Sequence, residues 1–346
     1  MYIIIAIILF GALIAVHEFG HFITAKLCGV KVLEFAIGMG PLLWSKQGEE
    51  TLYSLRLLPI GGYCAMEGED SDSDDPRSFS AQHPLKKAFI LVAGAAMNFL
   101  FGLILIFIVF LYSAPQTTEI TDFMAGCPYQ SEAAFHIGDE FYKIDGKRIY
   151  VTADVSEYLA KGDVHDIVVR RDNNYVTLED FPITLLEYEE ADGLRYGFYF
   201  AASADSLVEI TRYTWRYAMN FTRLIWRSLE DLISGAYGVK DLSGVVGIVD
   251  TMNDVGQSSP TFIIAVINLL YFAAFIAVNL AVMNLLPIPA LDGGRIFFLI
   301  LLWPIEKLIG HKIDPKYEGY IHTIGLALLM ALMLLVMFND VLRIVG

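Results

Sequence analysis

The chain has 346 residues with 24 Lys+Arg against 39 Asp+Glu, a net charge of −15, which argues against a nucleic-acid partner because phosphate binding needs a basic surface. Hydrophobic residues make up 55% of it, too many for an ordinary soluble enzyme, and the length accommodates two or three compact units. Three cysteines, Cys28, Cys64 and Cys127, are too few and too scattered for a disulfide framework or a Cys-rich metal site.

The first apolar segment runs from about Tyr2 to Leu27 and is long enough to cross a bilayer. It lacks a basic n-region and a small-x-small cleavage site, so it is expected to be a span and not a signal peptide. Inside it stands Val16-His17-Glu18-Phe19-Gly20-His21. On a helix His17 and His21, four apart, present both imidazoles from one face, and Glu18 is placed to take a proton from a metal-activated water. Two such histidines can also pack in a core. Ionisable groups at membrane depth are costly, however, and usually serve a site.

A loop carrying Lys31, Lys46, Arg56, Arg77, Lys86 and Lys87 follows, then a second span from about Ala88 to Tyr112. The start of the chain has no Lys or Arg, so the positive-inside rule puts the loop in the cytosol and the N-terminus outside. Residues 35–44 and 51–66 alternate like short strands around turns. The piece Leu57–Tyr63 is expected either to offer an edge for an extended peptide or to be a structural hairpin. Glu67–Asp75 is an acidic solvated loop. Asn98, in the second span, is expected to hydrogen-bond or pack within the bundle.

Residues 113–205 have the composition of a soluble α+β domain, which the topology above places outside. It contains a strand, the Asp145-Gly146 turn and a second strand, then a helix at Ala153–Ala160 and a strand at Asp166–Arg171. Residues 206–261 form a linker in which Tyr213–Ile233 interleaves apolar side chains with Arg216, Arg223 and Arg227. That pattern suits an interfacial amphipathic helix or an ordinary packed one. The C-terminal membrane region, 262–346, holds spans at about Phe262–Leu286 and Tyr320–Phe338; the apolar Phe297–Trp303 is too short to cross.

Two histidines leave a tetrahedral zinc short of a protein ligand. In Asn284-Leu285-Leu286-Pro287-Ile288-Pro289-Ala290-Leu291-Asp292-Gly293-Gly294, prolines and glycines break the third span, which is tolerated where backbone lines a cavity. Asp292, exposed by that break, is the expected third ligand; otherwise it is a loop residue or a helix N-cap. At 1.5 Å per residue His21 lies roughly 7–8 Å inside the edge marked by Lys26, so the two halves can meet near the cytosolic face.

His17–His21 and Asn284–Gly294 together resemble the site-2 protease family of intramembrane zinc metalloproteases, in particular its bacterial regulator-of-sigma-E branch. Ile37–Trp44, Pro59-Ile60-Gly61-Gly62-Tyr63 and Asp241–Ile248 are similar to further family segments, and Gly126–Arg171 resembles a PDZ domain. Arg295 stands where the family usually has His, and Val245 where it has Pro.

The resemblance implies a polytopic α-helical membrane protein of about four transmembrane helices. It implies a cytosolic β-hairpin region, an inserted extracytoplasmic PDZ domain and a place in the bacterial cytoplasmic membrane. It implies one Zn2+ per chain on His17, His21 and Asp292, with Glu18 as catalytic base. It further implies that Asn284, Pro287 and Pro289 help hold the substrate extended. The substrate would be a single-span protein, such as an anti-sigma factor or a remnant signal peptide, already cut outside. The PDZ domain would act as peptide reader or steric filter. Two other functions fit parts of the sequence: a catalytically silent PDZ scaffold, and a metal transporter.

Overall fold

The computed structural model describes residues 1–69, 73–202, 206–235, 238, 243–309 and 315–345; Asp241 and Leu242 of the Asp241–Ile248 segment and residues 70–72 of the acidic loop lie outside these. The chain divides into two compact units, one of Met1–Ile106 with Phe221–Gly346 and one of Phe107–Asn220.

In the first unit, helix α1 spans Tyr2–Leu27. It stops at Gly29, whose φ of 79° suits a residue without Cβ. Val30 N–H bonds Ala25 O at 2.9 Å and Gly29 N–H bonds Lys26 O at 3.1 Å, the paired bonds of a Schellman end. Lys86 Nζ and Arg77 Nε take the next carbonyls, those of Cys28 and Gly29. Glu50 joins Lys26 and Arg77 beside this end, and their hydrogen bonds pull its carboxyl down to about 2.

Strands β1 (Val32–Gln47) and β2 (Leu52–Met66) form one sheet. The expected short strands are present as segments of two long ones. Phe35–Ile37 pairs with Gly62–Cys64 and also with Tyr53–Leu55, while Trp44–Gln47 pairs with Leu52–Leu55. The doubling back occurs at Gly38, Gly40 and Gly61, all with positive φ. Ile37, Met39, Leu42, Leu43, Trp44, Leu55, Leu57 and Leu58 remain exposed, a large apolar surface for so small a sheet.

Helices α2 (Pro84–Tyr112), α4 (Leu207–Ser234), α5 (Val245–Ser258), α6 (Phe262–Asn284), α7 (Asp292–Ile309) and α8 (Pro315–Val345) complete the unit's helical set, the end of α2 from Phe107 and the start of α4 to Asn220 falling in the second unit. Four stretches among the described residues are long and apolar enough to cross a bilayer: α1, α2, α6 and Gly319–Arg343 of α8. They coincide with the expected spans and fit a polytopic membrane protein. Phe297–Trp303 lies within α7, which is not one of them. Helix α6 is capped by Thr261, whose hydroxyl accepts from Ile264 N–H. One apolar cluster joins Ala6 and Leu13 of α1 to Met252 of α5 and Leu269, Ile276 and Ala277 of α6. Another joins Ala25, Val30 and Val32 to Cys64, Met66, Phe79 and Ile90.

The second unit is built on a sheet in the order β10-β3-β4-β6-β7, with β5 paired to β4. Its strands are β3 (Gln116–Phe123), β4 (Glu140–Ile144), β5 (Lys147–Arg148), β6 (Val164–Arg171), β7 (Asn174–Pro182) and β10 (Phe198–Ala202); β8 (Leu186–Tyr188) and β9 (Ala191–Arg195) pair separately, and α3 spans Thr152–Leu159. Asp145 (φ 49°) and Gly146 (φ 73°) make the two-residue turn expected between β4 and β5. Phe135, Phe141, Ile144, Leu159, Ile167 and Ile183 are fully buried, and each such side chain contributes about 1.5–3 kcal/mol. The buried carboxylate of Asp139 is held by two 2.7 Å bonds from Arg171, the pairing such burial requires.

Candidate metal centre

Four residues apart, about one turn of α1, the histidines bring their rings to one face, with centroids 4.8 Å apart. The third group comes from the far end of the chain. Beyond α6 the chain turns through Leu285–Leu291, and Ala290 takes φ 78°, a region costly for a residue with a side chain. Asp292 then opens α7. Its Oδ2 lies 3.2 Å from His17 Nε2 and 3.3 Å from His21 Nε2, and the two Nε2 atoms are 3.2 Å apart. Among the described residues these three form the group that could hold a metal ion.

Two observations test whether zinc fits. Ligands at about 2.0–2.1 Å in a tetrahedron stand about 3.3 Å from one another, and the three edges here are 3.2, 3.2 and 3.3 Å. Asp292 Oδ2 is also buried without a hydrogen-bond partner among the described residues, a costly state for a carboxylate oxygen unless something else meets its lone pairs. The donor set, two imidazoles and a carboxylate, is one that zinc hydrolases use with an open fourth position.

Helix α2 builds the wall behind the two rings. His21 Nδ1 donates to Ile90 O at 2.9 Å, which leaves Nε2 as the free lone pair. Asn98, 1% exposed, sets its amide nitrogen 3.4 Å from His17 Nδ1, while its own Oδ1 has no partner among the described residues. The two ends of an amide have the same shape. With the oxygen turned toward His17, Nδ1–H donates to it, the buried oxygen is satisfied and His17 Nε2 is freed as well. Between these residues stands Gly94, where a Cβ would overlap His21 Nε2 and lie 2.7 Å from His17 Cε1. Ile90, Gly94 and Asn98 recur every four residues, one stripe of a helix.

Of the other sequence-based site residues, Glu18 follows His17 on α1, and its Cγ would lie 3.3 Å from a Cβ at Gly62, so β2 passes close over it. Asn284 is the last residue of α6, its amide nitrogen 3.4 Å from both His17 ring nitrogens. Pro287 is exposed in the loop and Pro289 is half-buried. Pro289 packs against α8, where a Cβ at Gly325 would come within 3.2 Å of its carbonyl. Ala290 N–H donates to His322 Nδ1 at 3.0 Å beside it. Arg295 pairs with Glu69. Burial, with Glu18 and Glu69 nearby, pushes the Cys64 thiol up, so it is an inert core group.

From sequence Asn98 is a bundle residue, and Gly94 carries no role there. A polar side chain and a glycine four apart in a hydrocarbon span were the available signal.

The profile of peptidase family M50 matches residues 5–332. A candidate zinc metalloprotease of Clostridium perfringens is 37% identical over 345 residues, covering 99% of this chain and 98% of its own. One of Fusobacterium nucleatum is 32% identical over 348 residues, covering 98% of each. The regulator of sigma-W protease RasP of Bacillus subtilis is 27% identical over 421 residues, covering 97% of each.

Proposed function

The chain belongs to peptidase family M50, the site-2 proteases, and is a zinc metalloprotease; from this premise we propose that it cuts single-span membrane proteins within the bilayer, after a first cut outside. The observation that carries this reading is the triangle of His17 Nε2, His21 Nε2 and Asp292 Oδ2, proposed as the ligands of one Zn2+. When bound, zinc supplies Lewis acidity that lowers the pKa of water and polarises a carbonyl.

The rest is done by the chain's own groups. Glu18 receives the water's proton, holds it on its carboxylate and returns it to the amide nitrogen as the C–N bond breaks. Ile90 O and Asn98 hold the two imidazoles in the tautomer that points Nε2 inward. Asn284 and the Pro287–Pro289 turn border the cleft and keep the substrate extended. The Gly61-Gly62-Tyr63 edge of β2, beside Glu18, offers backbone groups for strand addition, which straightens a helical substrate before it is cut. The exposed apolar side chains of β1 and β2 suit contact with lipid.

Residues 113–205, which fall within the second unit, are proposed as a PDZ-like domain outside the cytoplasmic membrane, screening substrates by size or by a newly made C-terminus. Among the described residues strand β10 ends the sheet order beside β3, so its outer edge is a place for an added peptide strand. Anti-sigma-factor-like proteins and remnant signal peptides are the proposed substrates.

The test is cleavage of a single-span reporter by purified wild type and Glu18→Gln in detergent, with zinc measured in both. Loss of cleavage while about one zinc per chain remains is expected. Equal cleavage by the two proteins would refute the assignment of Glu18.

A further inference from the structure

The mechanism leaves the Ser243-Gly244-Val245-Val246-Gly247 segment without a role. Gly244 is the N-cap of α5, and a helix start has four N–H groups with no intrahelical partner. Normally an N-cap side chain accepts from them; Gly244 has none. The acceptor comes from α8. Asp340 Oδ2 lies 2.9 Å from Gly244 N and 2.9 Å from Gly247 N.

These are the two donors that a capping box satisfies with two side chains from the helix itself. Here one carboxylate oxygen, from residues 93 and 96 positions away, accepts from both. The charge also sits at the positive end of the helix dipole. Asp340 is 1% exposed, and its second oxygen, Oδ1, has no hydrogen-bond partner among the described residues. The two glycines are a space requirement: a Cβ at Gly244 would lie 2.9 Å from Oδ2, and one at Gly247 2.9 Å from Oδ1. Val245 takes the first helical position, where proline is also well suited because that N–H has no helical partner.

The capped helix leads to the site. Met252 of α5 is fully buried against Ala6 and Leu13 of α1. Near its other end, a Cβ at Gly256 would overlap the Tyr2 ring. His17 follows Leu13 by one turn of the same helix.

We propose that Asp340 is a positioning residue: delivered by α8, its carboxylate caps α5 and thereby clamps it against the turn of α1 that precedes His17. Its effect on turnover rests on the protease function proposed above; the clamp itself does not.

The experiment uses the full-length protein in detergent, as wild type, Asp340→Ala, Asp340→Asn, Gly247→Ala and the Asp340→Ala/Gly247→Ala double variant. Amide exchange over residues 244–258 and 2–16, zinc retention against a chelator, thermal midpoint, and kcat and KM on a single-span reporter are measured. Asp340→Ala is expected to speed exchange at the start of α5 tenfold or more and to lower kcat tenfold or more at similar KM. Asparagine, whose carbonyl can still accept from both amides, restores most of this. Gly247→Ala imitates Asp340→Ala by pushing the carboxylate out, and the double variant is no worse than Asp340→Ala. Unchanged exchange in Asp340→Ala, or losses that multiply in the double variant, overturn the clamp. A lower thermal midpoint with unchanged kcat in zinc-loaded protein overturns the positioning role and leaves a structural tie. If Asp340→Ala does not fold, Gly247→Ala and Asp340→Asn decide. If wild type cuts nothing, the protease function fails while exchange and zinc retention still decide the clamp.

Discussion

Replacing Gly94 with alanine tests the metal centre from a residue that is not a ligand. The added methyl would overlap His21 Nε2 and lie 2.7 Å from His17 Cε1, where carbon atoms pack at about 3.5–4.0 Å. Each ring must therefore retreat by close to 1 Å, against the roughly 0.2 Å that a metal site tolerates in its ligand distances. Alanine is the best helix former, so α2 itself gains from the change. Loss of an orienting contact alone weakens metal by about 10–100-fold, and displacing both imidazoles should reach at least that. The assay is competition for zinc with a chelating dye in detergent, alongside circular dichroism to show that the helices remain. Gly319→Ala is the control, because a Cβ there meets nothing within 4 Å. If Gly94→Ala holds one zinc as tightly as wild type and cleaves as fast, the rings do not occupy this space in the working enzyme and the geometry argued above is wrong.

Asn98→Leu keeps the volume but removes the partner of His17 Nδ1; zinc affinity should fall by about 10–100-fold, and Asn98→Asp, which still accepts, should recover part of it in the same competition assay. The second unit should lose stability as pH rises above about 6.5. Burial alone would lower the pKa of His165, but its Nδ1 lies 2.6 Å from Asp145 Oδ2 and its Nε2 faces the carbonyls of Gly162 and Leu159, which together raise it. A raised folded pKa contributes stability that is complete below the unfolded value, about 6.5, and is lost as pH rises through the folded one. Melting between pH 6 and 9 should show that decline, and His165→Gln should flatten it. Deleting residues 117–205 should let the enzyme cut substrate that has not been trimmed outside; a deletion that still rejects such substrate counts against the filter.

The parts legible in the sequence are those set by local repetition. Hydrophobic runs of bilayer length marked α1, α2, α6 and α8, because in hydrocarbon each span must satisfy its own backbone. The i, i+4 step of His17 and His21 fixed their common face, since a helix returns to the same side after four residues. Asp145-Gly146 fixed a turn, because both residues need positive φ. Asp292 was inferred from its motif and the break in the third span. Its approach to the histidines to 3.2 and 3.3 Å depends on how α6, its broken end and α7 pack. Only tertiary structure decided the rest. The stripe of Ile90, Gly94 and Asn98 behind the histidines lies some 70–80 residues away in sequence, and the cap that Asp340 places on α5 crosses more than 90. Such partners share no period or spacing in the chain. They meet because close packing lets a glycine, a carbonyl or a single carboxylate oxygen occupy a space that the facing helix leaves open.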